Sequence, residues 1–133
     1  MTIAIDFDGT CVTHEFPVVG SDIGAAPVLR DLVKEGHRLI LYTMRSDYKG
    51  GSYLQDAKDW FKKNGIDLYA SQVNPQQKHW TSSPKCYAEL YIDDAALGIP
   101  LTHHVDTAAR TRLDKPYVDW EKVRALLVAK GVL

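Results

Sequence analysis

The segment Asp6-Phe7-Asp8-Gly9-Thr10 sets two carboxylates two residues apart and follows them with a glycine and a hydroxyl. In an extended chain residues i and i+2 point the same way, so both carboxylates can face one crevice. Gly9 permits a tight turn and a close approach of backbone to ligand. Farther along, Thr43 is followed by Arg45, and Lys85 precedes the acidic pair Asp93-Asp94. Carboxylates gathered at one edge repel one another unless a cation sits among them, and an all-oxygen set suits Mg²⁺. A lysine and a hydroxyl beside such an ion suit phosphoryl oxygens. A carboxylate aimed at phosphorus can attack it and become an aspartyl phosphate. A second carboxylate nearby can protonate the leaving group and then deprotonate water.

These residues are scattered over some ninety positions, so the fold must gather them. Thr2 to Phe7 is short, apolar and β-prone, and reads as a buried strand. A loop follows from Gly9 to Gly24. Pro27 suits the first turn of a helix carrying Val28, Leu29, Leu32 and Val33, with Gly36 as its stop. Arg38 to Thr43 reads as a second strand and Ser46 to Ser52 as a loop. Tyr53, Leu54, Ala57, Trp60 and Phe61 mark one face of a helix ending near Asn64-Gly65. Leu68 to Val73 and Glu89 to Ile92 read as strands, separated by a polar loop, and Leu101 to Val105 as a fifth. A last helix opens at Asp119 as N-cap, carries Trp120, Val123, Leu126 and Leu127, and closes at Gly131.

Alternating strands and helices predict an α/β fold, a three-layer αβα sandwich on a mainly parallel, Rossmann-like sheet of about five strands. In such sheets sites form beyond the carboxyl ends of the strands, where these chemistry-bearing residues fall. The 133 residues suit a single domain, and 45% hydrophobic with 25% charged residues is ordinary globular composition. Sixteen Lys plus Arg against 17 Asp plus Glu leave a formal charge of −1 and no bulk case for general nucleic-acid or membrane binding. No apolar run approaches the length needed to span a bilayer, and the first residues show no signal-peptide pattern. Cys11 and Cys86 lack metal or disulfide-framework spacing, so a reducing, cytoplasmic setting is expected.

The arrangement resembles the haloacid dehalogenase-like hydrolase superfamily, most of whose members are Mg²⁺-dependent phosphatases. Asp6-Phe7-Asp8-Gly9-Thr10 is similar to its first motif, Leu41-Tyr42-Thr43 to its second, Lys85 to its third and Tyr91-Ile92-Asp93-Asp94 to its fourth. The resemblance runs in the right order from about Ile3 to Asp94. It implies that Asp6 is the nucleophile and a metal ligand. Asp8 would be the general acid/base, with its backbone carbonyl also reaching the metal. Thr43 would bind phosphoryl oxygens, Lys85 would neutralise charge on nucleophile and phosphate, and Asp93 and Asp94 would hold Mg²⁺, Asp94 directly or through water. Gly9 and Arg45 complete the candidate phosphate-binding set, a surface salt bridge being the ordinary alternative for Arg45. Lys78 lies in the same loop as Lys85, but Lys85 immediately precedes the strand that delivers Asp93.

Many members of that superfamily insert a cap domain between the first and second motifs or between the second and third. Here Cys11 to Leu41 and Met44 to Pro84 are too short for one. The expected site is therefore open to a phosphorylated substrate, either a small molecule or a macromolecule such as a phosphoprotein or nucleic-acid end. A neighbouring subunit of a homodimer would be another cover. The loops Val12 to Ser21 and Asp47 to Ser52 are the local candidates for shaping specificity.

Other residues have simpler readings. His103 and His104, with Asp106, are adjacent on a strand and point to opposite faces, which makes joint metal ligation awkward. His14 lies in a loop near the site, within range of a substrate. No basic phosphate-binding loop follows Cys11, which reads as a small buried residue. Trp60, Trp80 and Trp120 read as packing residues. A hydrolytic dehalogenase is disfavoured by Asp8 and the Asp93-Asp94 pair. A phospho-aspartate switch is disfavoured by the order of its acidic groups, and an inactive binding module by the intact acidic set.

Overall fold

The structure, a computed structural model, describes residues 1–103 and 115–133. His104 and Asp106, disfavoured above as joint metal ligands, lie outside the described residues. The chain begins with β1 (Thr2–Ile5), α1 (Ala25–Lys34) and β2 (Arg38–Leu41). A 3₁₀ turn at Tyr48–Gly50 precedes α2 (Tyr53–Lys63) and β3 (Ala70–Ser71). A second 3₁₀ turn at Gln77–His79 leads to β4 (Leu90–Ile92), β5 (Leu101–Thr102), β6 (Tyr117–Val118) and α3 (Trp120–Ala129).

β1 to β4 form a parallel sheet in the order β3-β2-β1-β4. This is the predicted α/β architecture, and among the described residues the parallel sheet has four strands. Of the expected fifth strand, Leu101 to Val105, the described part Leu101–Thr102 pairs antiparallel with Tyr117–Val118 in a separate ribbon. The strands are also shorter than their apolar runs. Phe7 remains buried but lies beyond the β1 ladder, where Thr10, Cys11 and Val12 all direct their N–H groups at its carbonyl.

Register explains the layering. Ile3 pairs with Leu39 and Leu90, and Ile5 with Leu41 and Ile92, so these residues share one face. That face meets Leu29 and Leu32 of α1, Phe61 of α2 and Leu127 of α3 in one buried cluster. Each such side chain withdrawn from water contributes about 1.5–3 kcal/mol. Right-handed crossovers from β1 to β2 to β3 carry α1 and α2 to the same side. The return from β3 to β4 then crosses the other face, below Ala4 and Ile40. That connection contains one 3₁₀ turn and no α-helix. Tyr91 fastens it, donating its hydroxyl to the Cys86 carbonyl at 2.7 Å while accepting from the Ala88 N–H at 3.2 Å. The three helices therefore share one core, where alternation alone predicts helices on both faces.

The helix ends follow the expected chemistry in part. α1 starts at Ala25, two residues before Pro27, whose missing N–H falls among the unpaired donors of the first turn. Gly36, at φ 91°, ends it. Asp119 caps α3 by accepting from the Lys122 N–H at 3.1 Å. Among the described residues no helix is long and apolar enough to cross a membrane.

Candidate functional site

The carboxyl ends of β1 and β4 lie side by side, and the Asp6 N–H donates to the Ile92 carbonyl at 3.0 Å. Asp6 therefore emerges next to Asp93 and Asp94. One carboxylate oxygen from each of these three residues lies within 4.8 Å of the others. All three side chains are half-buried. Thr10, fully buried, joins two of them: its hydroxyl donates to Asp6 Oδ2 at 2.6 Å and accepts from the Asp94 N–H at 3.0 Å. Asp93 accepts from the Ala95 N–H at 2.8 Å, which fixes the turn after β4.

The electrostatics follow from crowding. Burial pushes the Asp6 carboxyl up from its ordinary 3.8 to about 8; the Thr10 hydroxyl opposes this, and Asp93 and Asp94 add to it. The Asp93 carboxyl is also raised, first by burial and then by Asp94. The three carboxyls form a crowded acidic cluster. Its oxygen-only donors fit a hard divalent cation such as Mg²⁺, and Asp6, Asp93 and Asp94 are the residues able to hold one.

Gly9 makes this approach possible. It sits at φ 78°, and a Cβ there would collide with the His14 imidazole and the Asp94 carboxylate. His14 Nε2 lies 2.9 Å from Asp94 Oδ2, so its partner is the acidic cluster. The loop is anchored from behind by Trp120, whose indole N–H donates to the Thr10 carbonyl at 2.7 Å. The Val118 N–H donates to the Gly9 carbonyl at 3.0 Å. Trp120 thus does more than the packing expected of it. Trp60 does pack, edge-on to Phe7 at 5.7 Å between centroids, whereas Trp80 is 64% exposed and meets Tyr87.

Asp8 lies apart from the three-carboxylate cluster and pairs with Arg45. Arg45 Nε donates to Asp8 Oδ2 at 2.7 Å and Nη2 to Asp8 Oδ1 at 2.8 Å. Arg45 is 2% exposed. Its pair with Asp8 is therefore a buried one, where a surface salt bridge was the ordinary alternative.

Thr43 stands at the end of β2 in a segment clamped by Gln72. Gln72 accepts from the Thr43 N–H at 2.9 Å and donates to the Thr43 carbonyl at 2.7 Å and the Arg45 carbonyl at 3.1 Å. It does so from φ 66°, an uncommon conformation for a residue other than glycine. The Thr43 hydroxyl accepts from the Arg45 N–H at 3.1 Å, an interaction that does not use its own proton. Sequence reasoning missed Gln72. The signal was its place near the end of the expected strand Leu68 to Val73, where the strand-end rule directs attention.

Lys85 stands before β4, beside the Tyr91 ring. It is exposed, with its ammonium 5.4 Å from the Tyr91 ring centroid, and no ion pair joins it or Lys78 to a carboxylate among the described residues. The Tyr91 contacts with Cys86 and Ala88 hold this segment against the middle of β4, short of its carboxyl end. Cys11 is buried beneath the site and donates to the Asp6 carbonyl at 3.3 Å. Burial, with the Asp6 and Asp8 charges, raises its thiol well above the usual range, which suits a core residue rather than a nucleophile.

No protein-family model matches the sequence, and no curated protein matches it. A solved structure does, that of a conserved protein coded by a locus of Bacteroides thetaiotaomicron. The TM-score is 0.65 and the identity 40%, over 74% of this chain and 78% of that one. With that identity over more than two thirds of both chains, the protein belongs to the same family as this conserved Bacteroides protein.

Proposed function

We propose that the protein is a Mg²⁺-dependent phosphatase that hydrolyses a phosphomonoester through an aspartyl phosphate on Asp6. The observation that carries this reading is the convergence of Asp6, Asp93 and Asp94, with oxygens within 4.8 Å, at the carboxyl edge of a parallel sheet. A bound Mg²⁺ would supply charge neutralisation for the phosphoryl oxygens and for the crowded carboxylates. In the first step Asp8 starts protonated on an oxygen lone pair outside the Arg45 fork; an Asp6 oxygen attacks phosphorus, the bond from phosphorus to the leaving oxygen breaks, and that oxygen takes up the Asp8 proton. In the second, Asp8 takes a proton from water as the water oxygen attacks phosphorus. This frees Asp6 and releases inorganic phosphate. The Thr43 hydroxyl proton supports a role in orienting phosphoryl oxygens. Lys85, which makes no ion pair with these carboxylates, has no step in this scheme.

The segments between β1 and β2 and between β2 and β4 are too short for a cap. In this reading the site is open, admitting small or macromolecular phosphoesters. The two free, buried cysteines suit a reducing cytoplasm.

The test is phosphate release from a broad panel of phosphomonoesters, with and without Mg²⁺, beside Asp6→Asn and Asp8→Asn. The reading expects metal-dependent turnover, abolished by Asp6→Asn and reduced about 10²–10⁴-fold by Asp8→Asn. A stable phosphoprotein formed without turnover would indicate a switch instead. Failure to bind Mg²⁺ would remove the site assignment altogether.

A further inference from the structure

The guanidinium of Arg45 has five N–H donors, and protein acceptors account for all of them. Nε and one Nη2 hydrogen hold the two oxygens of Asp8. The other Nη2 hydrogen reaches the Val18 carbonyl at 2.9 Å, and Nη1 reaches the carbonyls of Tyr53 at 3.1 Å and Pro17 at 3.3 Å. The planar faces are occupied too: the guanidinium carbon lies 5.1 Å from the ring centroids of both Phe7 and Phe16. A side chain so saturated has no donor left for a phosphate. A planar fork held on two faces and at every donor fixes whatever it grips.

We propose that Arg45 is a positioning residue, which holds the Asp8 carboxylate in one orientation for proton transfer and does not bind the phosphoryl group. The inference rests on the phosphatase reading and adds to it the group that orients its acid/base. The same guanidinium ties together the loop carrying Pro17 and Val18 and the start of α2. The two segments flanking the open site are thereby fastened to Asp8 through one side chain.

The experiment compares the native protein, Arg45→Lys, Asp8→Asn and the double variant, each loaded with Mg²⁺, using p-nitrophenyl phosphate and phosphoserine as probes. Lysine keeps the charge and loses the fork. Arg45→Lys is expected to lower kcat about 10–100-fold with KM changed less than about 3-fold. In the Asp8→Asn background, where no acid/base remains to orient, the same change is expected to lower residual kcat less than about 2-fold. Thermal unfolding of the four proteins is expected to be non-additive in parallel, because the pair is in direct contact.

A raised KM with kcat preserved would overturn the proposal in favour of a phosphate contact. Equal losses in the native and Asp8→Asn backgrounds would overturn it in favour of a purely structural arginine. Absence of turnover by the native protein on both esters, on the wider phosphomonoester panel and on a phosphoprotein would overturn the phosphatase reading itself, an outcome separate from either of these. Should Arg45→Lys fail to fold, Phe16→Leu removes one stacking face and is expected to lower kcat at unchanged KM. A loss shown only in KM would count against the proposal.

Discussion

Asp6 carries the strongest electrostatic conflict among the described carboxylates, and its consequences are measurable without any substrate. Burial pushes its carboxyl up from an ordinary 3.8 to about 8 in the folded protein. An acid with a higher pKa when folded binds its proton more tightly in that state, so folding is favoured while it is protonated. Stability of the metal-free protein should therefore fall as pH rises from about 4 to about 8. Asp6→Asn should flatten that slope and raise Tm at pH 8 by about 3–8 °C, since a neutral amide replaces a buried charge. Saturating Mg²⁺ should raise Tm of the native protein at pH 8 and leave the Asn variant nearly unmoved. Scanning fluorimetry in chelator and in Mg²⁺ across that pH range reads all three effects. A native protein with no downward slope in chelator would contradict the crowding described here.

At the level of elements, the first loop is built from two directions. β1 delivers Asp6 and Asp8, while the distant start of α3 holds the loop from behind through the Trp120 hydrogen bond to Thr10. Trp120→Phe keeps most of the buried surface but strands the Thr10 carbonyl. It should cost about 1–3 kcal/mol in denaturant unfolding and weaken Mg²⁺ binding by the loosening of Thr10 between Asp6 and Asp94. A variant of native stability and native metal affinity would show the indole contact to be dispensable. The β3-to-β4 connection is the counterexample to reading elements by pattern. Its polarity correctly marks it as loop, yet it is the layer that covers a sheet face. No periodicity reports that role, because the burial of Cys86 and Ala88 depends on where the crossover passes.

For the molecule as a whole, stability rests on one core to which all three helices contribute. α3 reaches that core through Val123 and Leu127, whereas its Arg124 only forms an exposed pair with Asp31 of α1 at 2.8 Å. Leu127→Ala should therefore cost about 2–5 kcal/mol through transfer and cavity terms. Arg124→Ala should cost less than about 1 kcal/mol. Urea unfolding followed by circular dichroism separates the two. Comparable losses would mean that α3 is held by its surface rather than its buried stripe. The common core also links fold and site, since the helix carrying Leu127 is the one that anchors Thr10.

Much of this was present in the linear order of residues. Asp6, Asp93 and Asp94 follow runs of β-prone apolar residues, and chain direction alone sends the ends of parallel strands to a single edge. Helix stops at Gly36 and Gly131, and the cap at Asp119, are local chemistry and need no distant contact. The partner of Arg45 is a different kind of fact. Its position after Thr43 fitted a phosphate contact equally well, and only the approach of Asp8, Pro17, Val18 and Tyr53 accounts for its five donors. The pairing of Leu101–Thr102 with Tyr117–Val118, the clamp by Gln72 and the placement of Lys85 against Tyr91 arise in the same way. Each depends on which groups from far along the chain meet in space, and short-range propensity carries no information about that meeting.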